Sequence, residues 1–399
     1  MELLIIIFLT CISLVWGIVP FLMRRNFRKY SQNLESRLSE LNIAKWPKVA
    51  VIMPCKGTDV GFQDNLELLL KQEYPDWSLH FSVATADDLA IPFLSSIVQR
   101  NPQKYHLHIA GLRQGCGQKM NNMVHAVQQV DQDTEILVFL DGDTSLHSKY
   151  IQNLVQGLML ENVGASTGYH VFLPEHDTYA SRLRSMWAMA GALVLSDQNI
   201  NFAIGAATAM RKKTFDELQI GNKLLQTLSD TFVFTNEIKK AGLRVEFLPS
   251  CFFISRDDSN LKEVTAWSNR LTLLSKVYSF KLWAFVGLSY SLVTFLLATA
   301  VLCLIQKQML WILPSLILML SQIIAASLIM DEVLFHLQKN YPQEATSIQK
   351  NAYKIAILGP ITGIMIMYST LKSLIYPITT WRGITYKIHS ADKIEVLSS

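Results

Sequence analysis

Three apolar runs constrain this chain more than any other feature. Residues 3–23, 282–305 and 310–330 are each long enough to cross a bilayer, since about 20 helical residues span ~30 Å of hydrocarbon. Half of the 399 residues are hydrophobic and the mean hydropathy is positive, which argues against an ordinary soluble protein. The first run is followed at once by Arg24, Arg25, Arg28 and Lys29. A cleaved leader carries its positive charges before its apolar core and ends in small residues. The reverse order predicts a retained anchor over 1–23, with the basic cluster and everything up to the next span on the cytosolic side. Runs 282–305 and 310–330 have a very short polar connection and predict a helical hairpin through the bilayer. A further run, 355–378, is broken by Gly359, Pro360, Gly363 and Pro377 and is expected to be re-entrant or interfacial. Arg382, Lys387 and Lys393 then place the tail on the cytosolic side or at the membrane periphery. Asp331 and Glu332 close the second run of the hairpin, and their expected role is a helix end reaching the headgroups; an ion or proton path is the alternative.

The net charge of +4 gives no reason to expect nucleic acid as a partner. Five cysteines, Cys11, Cys55, Cys116, Cys251 and Cys303, are odd in number and never spaced as metal-ligand pairs. That pattern predicts a reduced compartment without a disulfide framework or a zinc site.

Between the apolar regions, over 47–260, the pattern is α/β. Apolar strands are expected at 48–53, 79–84, 106–109 and 135–140, and helices at 65–72, 91–100, 120–129 and 232–241. The run Glu135-Ile-Leu-Val-Phe-Leu140 suits the middle of a parallel sheet. Such alternation predicts a doubly wound, Rossmann-like, mostly parallel sheet, with ligands at the carboxyl ends of its strands. Segment 261–281 reads as a juxtamembrane connection, 282–378 as the membrane region and 379–399 as the tail.

Acidic residues follow the strands. Asp87 and Asp88 come after the second, and Asp141-Gly-Asp143 after the fourth. Two carboxylates one residue apart at a strand end can face one hard cation, magnesium or manganese, and leave places for diphosphate oxygens. Gly142 is expected to let the backbone turn between them, and a plain Asp-Gly turn is the alternative. Gly115-Cys-Gly-Gln-Lys119 opens a helix and offers an ammonium and backbone donors suited to phosphate, or else an ordinary loop with a solvated Lys119. Asp230, in Leu228-Ser-Asp-Thr231, is either a helix N-cap or a general base that must reach an acceptor hydroxyl.

Met53-Pro-Cys-Lys-Gly-Thr-Asp59, Asn65-Leu-Glu67, Tyr74-Pro75 and Ala86-Asp-Asp88 resemble the amino-terminal part of ceramide glucosyltransferases. Those enzymes belong to the family-two group of inverting GT-A glycosyltransferases. The likeness continues through Lys119-Met-Asn-Asn122, Asp141-Gly-Asp143, Ala209-Met-Arg-Lys-Lys213, Asp230 and Ala241-Gly-Leu-Arg244, and ends in Trp381-Arg-Gly-Ile-Thr-Tyr386. The resemblance implies a GT-A catalytic domain that takes a UDP-sugar and a divalent cation and glycosylates the hydroxyl of a membrane lipid (ceramide-like, hopanoid or glycerolipid) with inversion. It implies donor binding by Lys56, Asp87, Asp88, Lys119, Asp141 and Arg270, metal binding by Asp141 and Asp143, and proton abstraction by Asp230. Two features depart from the family pattern. The usual Gln or Arg, two residues, then Arg-Trp is here Trp267-Ser-Asn-Arg-Leu271, and the usual paired acid is here Ser229-Asp230. A catalytically inactive nucleotide-sugar-binding membrane protein and a polysaccharide synthase are the alternative readings.

Overall fold

The computed structural model describes residues 2–174, 176–256, 258–306 and 312–398. The chain divides into two compact units that interleave along the sequence. One comprises 31–171, 198–257 and 377–399; the other comprises 1–30, 172–197 and 258–376. Contiguous blocks are what sequence patterning suggests, whereas here the carboxyl-terminal tail belongs to the same unit as the α/β region.

The first unit is built on a seven-stranded sheet. Its strands are β1 (Val49–Pro54), β2 (Trp77–Val83), β3 (Tyr105–Ile109), β4 (Ile136–Leu140), β5 (Val163–Phe172), β6 (Ala207–Arg211) and β7 (Arg244–Ser255). Their order is β3-β2-β1-β4-β6-β5-β7. Strands β3, β2, β1 and β4 run parallel, and β6 is antiparallel to both β4 and β5. The expected α/β, mostly parallel, Rossmann-like sheet is therefore present, with a break in direction immediately beside the central β4. Every residue of β2 and of β4 is buried. Helices cover both faces, as continuous apolar strands require.

On one face Ile52, Leu137 and Phe139 pack with Met123 of helix Gln118–Val127 and with Phe234 and Ile238 of helix Asp230–Lys240. This packing fixes the two helices whose amino termini lie at the carboxyl end of the sheet. The tail forms a second, three-stranded antiparallel sheet of β8 (Ile378–Trp381), β9 (Ile384–Ser390) and β10 (Lys393–Ser398). It is part of the compact unit: Tyr386 is 1% exposed, and its hydroxyl accepts from the Gln118 amide at 3.2 Å.

The other unit is helical. Among the described residues three helices are long and apolar enough to span a membrane, with candidate spans at Ile6–Ser39, Phe280–Thr299 and Ile312–Asn340. The first belongs to a continuous helix Glu2–Ser39, so the helix runs straight through the basic cluster that ends the apolar run. The connection between the other two, including Leu310 where the second run was expected to start, lies outside the described residues. The Gly/Pro-containing run 355–378 is one helix over most of its length, Gly359–Ile375, and the break falls at its start. Helices Pro342–Ala356 and Gly359–Ile375 meet at a 71° bend, with Gly359 and Pro360 opening the second.

Glu332 is not a helix end at the headgroups. Its helix continues to Asn340, and its carboxylate is 3% exposed and held by Arg24 at 3.2 Å and Arg28 at 2.6 Å. A buried carboxylate needs such partners, because desolvating an unpaired charge costs several kcal/mol. Asp331 beside it is exposed. The basic cluster thus has a structural task in addition to setting orientation.

Candidate active site

The carboxyl ends of β1, β2 and β4 carry the residues that the sequence singles out, and the structure gathers several of them around one lysine. Asp141 and Asp143 leave the end of β4. Lys119 stands in the first turn of helix Gln118–Val127. Its Nζ lies 2.7 Å from Asp141 Oδ1 and 2.8 Å from Asp141 Oδ2, and 2.8 Å from Asp230 Oδ2. The Lys119 side chain is 12% exposed. Burial alone would lower its pKa, but Asp141 and Asp230 outweigh that and hold it above its ordinary value. Lys119 is therefore neither a solvated loop residue nor a lone phosphate ligand: it bridges two carboxylates.

Asp230 is the first residue of its helix, and the N-cap is its neighbour Ser229, whose side chain accepts from the Phe232 amide. The capping alternative for Asp230 is thereby removed, since Ser229 fills that role. The Asp230 side chain is 10% exposed and packs directly on Gly205. A Cβ at Gly205 would lie 2.0 Å from Asp230 Cγ, so only glycine fits. The Gly205 amide donates to Thr231 Oγ1 at 3.0 Å, which ties the same loop to the helix start.

Gly142 is needed for a different reason from the one its position suggests. Its φ is not positive, but a Cβ there would meet the Phe62 ring at 2.7 Å. Asn65 Nδ2 donates to its carbonyl at 3.2 Å, and Thr144 Oγ1 donates to the Asp141 carbonyl at 2.6 Å. The Asp-Gly-Asp segment is thus pinned from both sides.

Asp88 uses one carboxylate oxygen twice: Oδ1 accepts from the Gly57 amide at 2.8 Å and the Ala90 amide at 2.9 Å. It joins the loops that follow β1 and β2. Asp87 is exposed, and the Thr85 hydroxyl lowers its pKa. Lys56 is exposed in the loop after β1. Arg270 lies in the other unit, on helix Leu261–Tyr278.

Two residues of this cleft were not anticipated. Arg382, in the turn between β8 and β9, donates from Nη2 to Asp59 Oδ2 at 2.6 Å and from Nη1 to the Lys56 carbonyl at 3.3 Å. Neither Arg382 nor Asp59 carries a local signal: more than 300 residues separate them.

The electrostatics are those of a crowded acidic cleft. Burial pushes Asp141 up, Lys119 opposes this, and Asp230 adds to it. Asp143 is raised from 3.8 to about 6 by burial and by the charges of Asp141 and Asp59, against Lys119 and Arg382. Among the described residues no group of three or more His, Cys, Asp or Glu side chains converges as a metal site. The protein's contribution would therefore be two carboxylates. Asp141 and Asp143 suit a hard divalent cation that takes its remaining oxygens from diphosphate and water, because a cation would offset the burial and the neighbouring charges that raise Asp143.

The same shift has a measurable consequence. A carboxyl that titrates near 6 when folded and near 3.8 when unfolded binds more protons in the folded state between those values. Stability therefore falls as pH rises through that window, and the penalty is complete above about pH 6. In cation-free buffer Asp143→Asn is expected to raise the melting temperature at pH 7.5, with a clearly smaller gain at pH 5. Differential scanning fluorimetry of both proteins at the two pH values checks this. An equal gain at both would show that Asp143 is not a raised carboxyl.

The family described as glycosyl transferase family 21 matches residues 6–394 of this chain. Ceramide glucosyltransferase 3 of Caenorhabditis elegans is 20% identical over 203 residues, which cover 50% of this chain and 44% of that protein. Ceramide glucosyltransferase 1 of the same organism is 22% identical over 209 residues, covering 50% and 43%. The chain thus matches under half the length of these curated relatives. Among solved structures, a mannosyltransferase from Pyrobaculum calidifontis in complex with GDP-Man and Mn2+ is similar with a TM-score of 0.45 and 14% identity, covering 92% of this chain and 99% of that one.

Proposed function

The chain belongs to glycosyl transferase family 21, and on that premise we propose that it transfers a hexose from a UDP-sugar to the hydroxyl of a membrane lipid, with inversion. The observation that carries this reading is the placement of three carboxylates around Lys119 and the end of β4. Asp141 and Asp143 sit together at the end of the central strand, while Asp230 stands apart on a helix start, across Lys119. Direct displacement at an anomeric carbon needs both: charge compensation on the leaving diphosphate side and one separate base on the acceptor side.

Asp141 and Asp143 would hold Mn2+ or Mg2+, which would offset charge on the leaving diphosphate. Asp230 takes the proton from the acceptor hydroxyl as its oxygen attacks. Lys119 fixes the orientation of Asp230 and Asp141 through its three contacts. Asp88 holds the loops after β1 and β2 in register with one oxygen and offers the other to the nucleoside. Asp87 and Lys56 complete the donor-binding set of this unit. A lipid acceptor accords with the three apolar helices and with the names of the two worm relatives. The basic residues that follow the first apolar run favour a cytosolic catalytic domain.

The test is to incubate detergent-purified protein with Mn2+, a mixture of UDP-hexoses and a lipid extract from its own source, beside Asp143→Ala and Asp230→Ala. Mass spectrometry should find a new glycolipid, absent from both variants. Consumption of a GDP-sugar instead would overturn the donor assignment. UDP binding without any product would promote the inactive binder.

A further inference from the structure

We propose that Arg382, carried on the turn of the carboxyl-terminal hairpin, is a diphosphate-binding residue: its guanidinium rests on Asp59 in the free protein and turns to the diphosphate when a nucleotide enters. The proposal rests on the reading of this cleft as a nucleotide-sugar site.

The backbone supplies the first argument. Arg382 and Gly383 are the two residues between β8 and β9, with φ of 52° and 80°. A two-residue hairpin loop with both central residues at positive φ favours Asn-Gly, Asp-Gly or Gly-Gly, because a Cβ in the left-handed region is strained. A long cationic side chain at the first position is a costly choice for making a turn. Strain of this kind, where a cheaper residue exists, points to a task for the side chain.

Position supplies the second. The guanidinium reaches the loop after β1 through Asp59 and the Lys56 carbonyl. It lies close enough to Asp141 and Asp143 that its charge opposes the rise in both carboxyls. Four residues further on, the Tyr386 hydroxyl accepts from the Gln118 amide, at the amino terminus of the helix that carries Lys119. One hairpin is therefore fastened to two walls of the cleft, and Arg382 is the part of it that faces the acidic residues. Of the cations facing Asp59, Asp141, Asp143 and Asp230, Lys119 is already shared by two carboxylates. Arg382 is held by one, at the rim, with its side chain 35% exposed.

Chemistry supplies the third. A planar guanidinium matches a pair of phosphate oxygens, and charge-assisted contacts of this type are about twice as strong as neutral ones. An exposed Arg–Asp pair is worth little by itself, so exchanging Asp59 for a diphosphate costs little.

Binding measured by calorimetry, independent of turnover, tests this. Wild type, Arg382→Gln, Arg382→Lys and Asp59→Asn would be titrated with UDP, GDP and uridine in the presence of Mn2+. For the better-bound diphosphate, Arg382→Gln should weaken affinity about tenfold, the loss of one charge-assisted contact. Arg382→Lys should retain part of it, and uridine binding should not change. Asp59→Asn should leave diphosphate affinity unchanged or tighter, because it releases the guanidinium and removes a repelling charge. If Arg382 only propped the loop after β1, Asp59→Asn would weaken binding as Arg382→Gln does; that result, or wild-type affinity in Arg382→Gln, overturns the proposal. A wild-type protein that binds neither diphosphate overturns the donor-site reading itself, and this proposal with it.

Discussion

Asp230→Asn is expected to lower the transfer rate by about 10²–10⁴-fold, the usual worth of a positioned base, while UDP affinity stays within a few-fold of wild type. The substitution is nearly isosteric and removes the negative charge together with the capacity to take a proton. The side chain packs on Gly205 and is 10% exposed, so an amide fits the same space. Helix capping is untouched, because Ser229 performs it. Lys119 loses one of its two carboxylates but keeps both oxygens of Asp141, so the diphosphate side of the cleft retains its arrangement. Steady-state rates with saturating donor, read beside calorimetric UDP binding, separate the two effects. A rate within tenfold of wild type would remove Asp230 from the base role, and a parallel collapse of UDP binding would make it a structural residue.

The second large effect is expected at Gly205, which has no titratable group at all. In Gly205→Ala the new Cβ would lie 2.0 Å from Asp230 Cγ and 2.1 and 2.3 Å from its oxygens. Those distances are far inside van der Waals contact, so the carboxylate must leave its place or the loop must move. The loop is held by the Gly205 amide on Thr231 and by the Ile204 amide on Thr167 Oγ1 at 2.9 Å. Overpacking of this kind costs about 1–3 kcal/mol, which implies a melting temperature lower by a few degrees. The rate should fall as far as in Asp230→Asn, since displacement of a base by about 1 Å is worth two orders of magnitude. Thermal melts and rates on the same preparation check both parts. A Gly205→Ala enzyme of normal rate would mean that Asp230 works from somewhere else.

These two residues also show what the sequence can and cannot carry. Asp141 and Asp143 were legible because an apolar strand and its polar ending are local: β4 occupies 136–140 where a strand was expected at 135–140. The parallel half of the sheet and its helices were legible for the same reason, and the helix Ile91–Arg100 falls where it was expected. Strands β5, β6 and β7 were not read. They carry residues such as Gly164, Ser166, Thr208 and Pro249, which blur the apolar pattern, and the antiparallel pairing of β6 with β4 and β5 arises from tertiary contact. The role of Lys119 was half legible. A cation at a helix start suggests phosphate, but its bridge to Asp230 joins residues 111 positions apart and follows only from packing of two helices on one sheet face. The reason that position 205 must be glycine is a single carboxylate 25 residues away. Arg382 was read as a topological charge and as part of a motif but not as a residue of the site, because nothing nearby in sequence shows that the tail returns to the loop after β1.

Proton NMR of the glycolipid formed by wild-type protein tests the central claim most directly. With an α-linked UDP-hexose as donor, attack assisted by Asp230 as a base should yield only the β-glycoside, from the first turnover onward. An α-glycoside would contradict the account, since retention excludes a single back-side displacement assisted by Asp230 as a base.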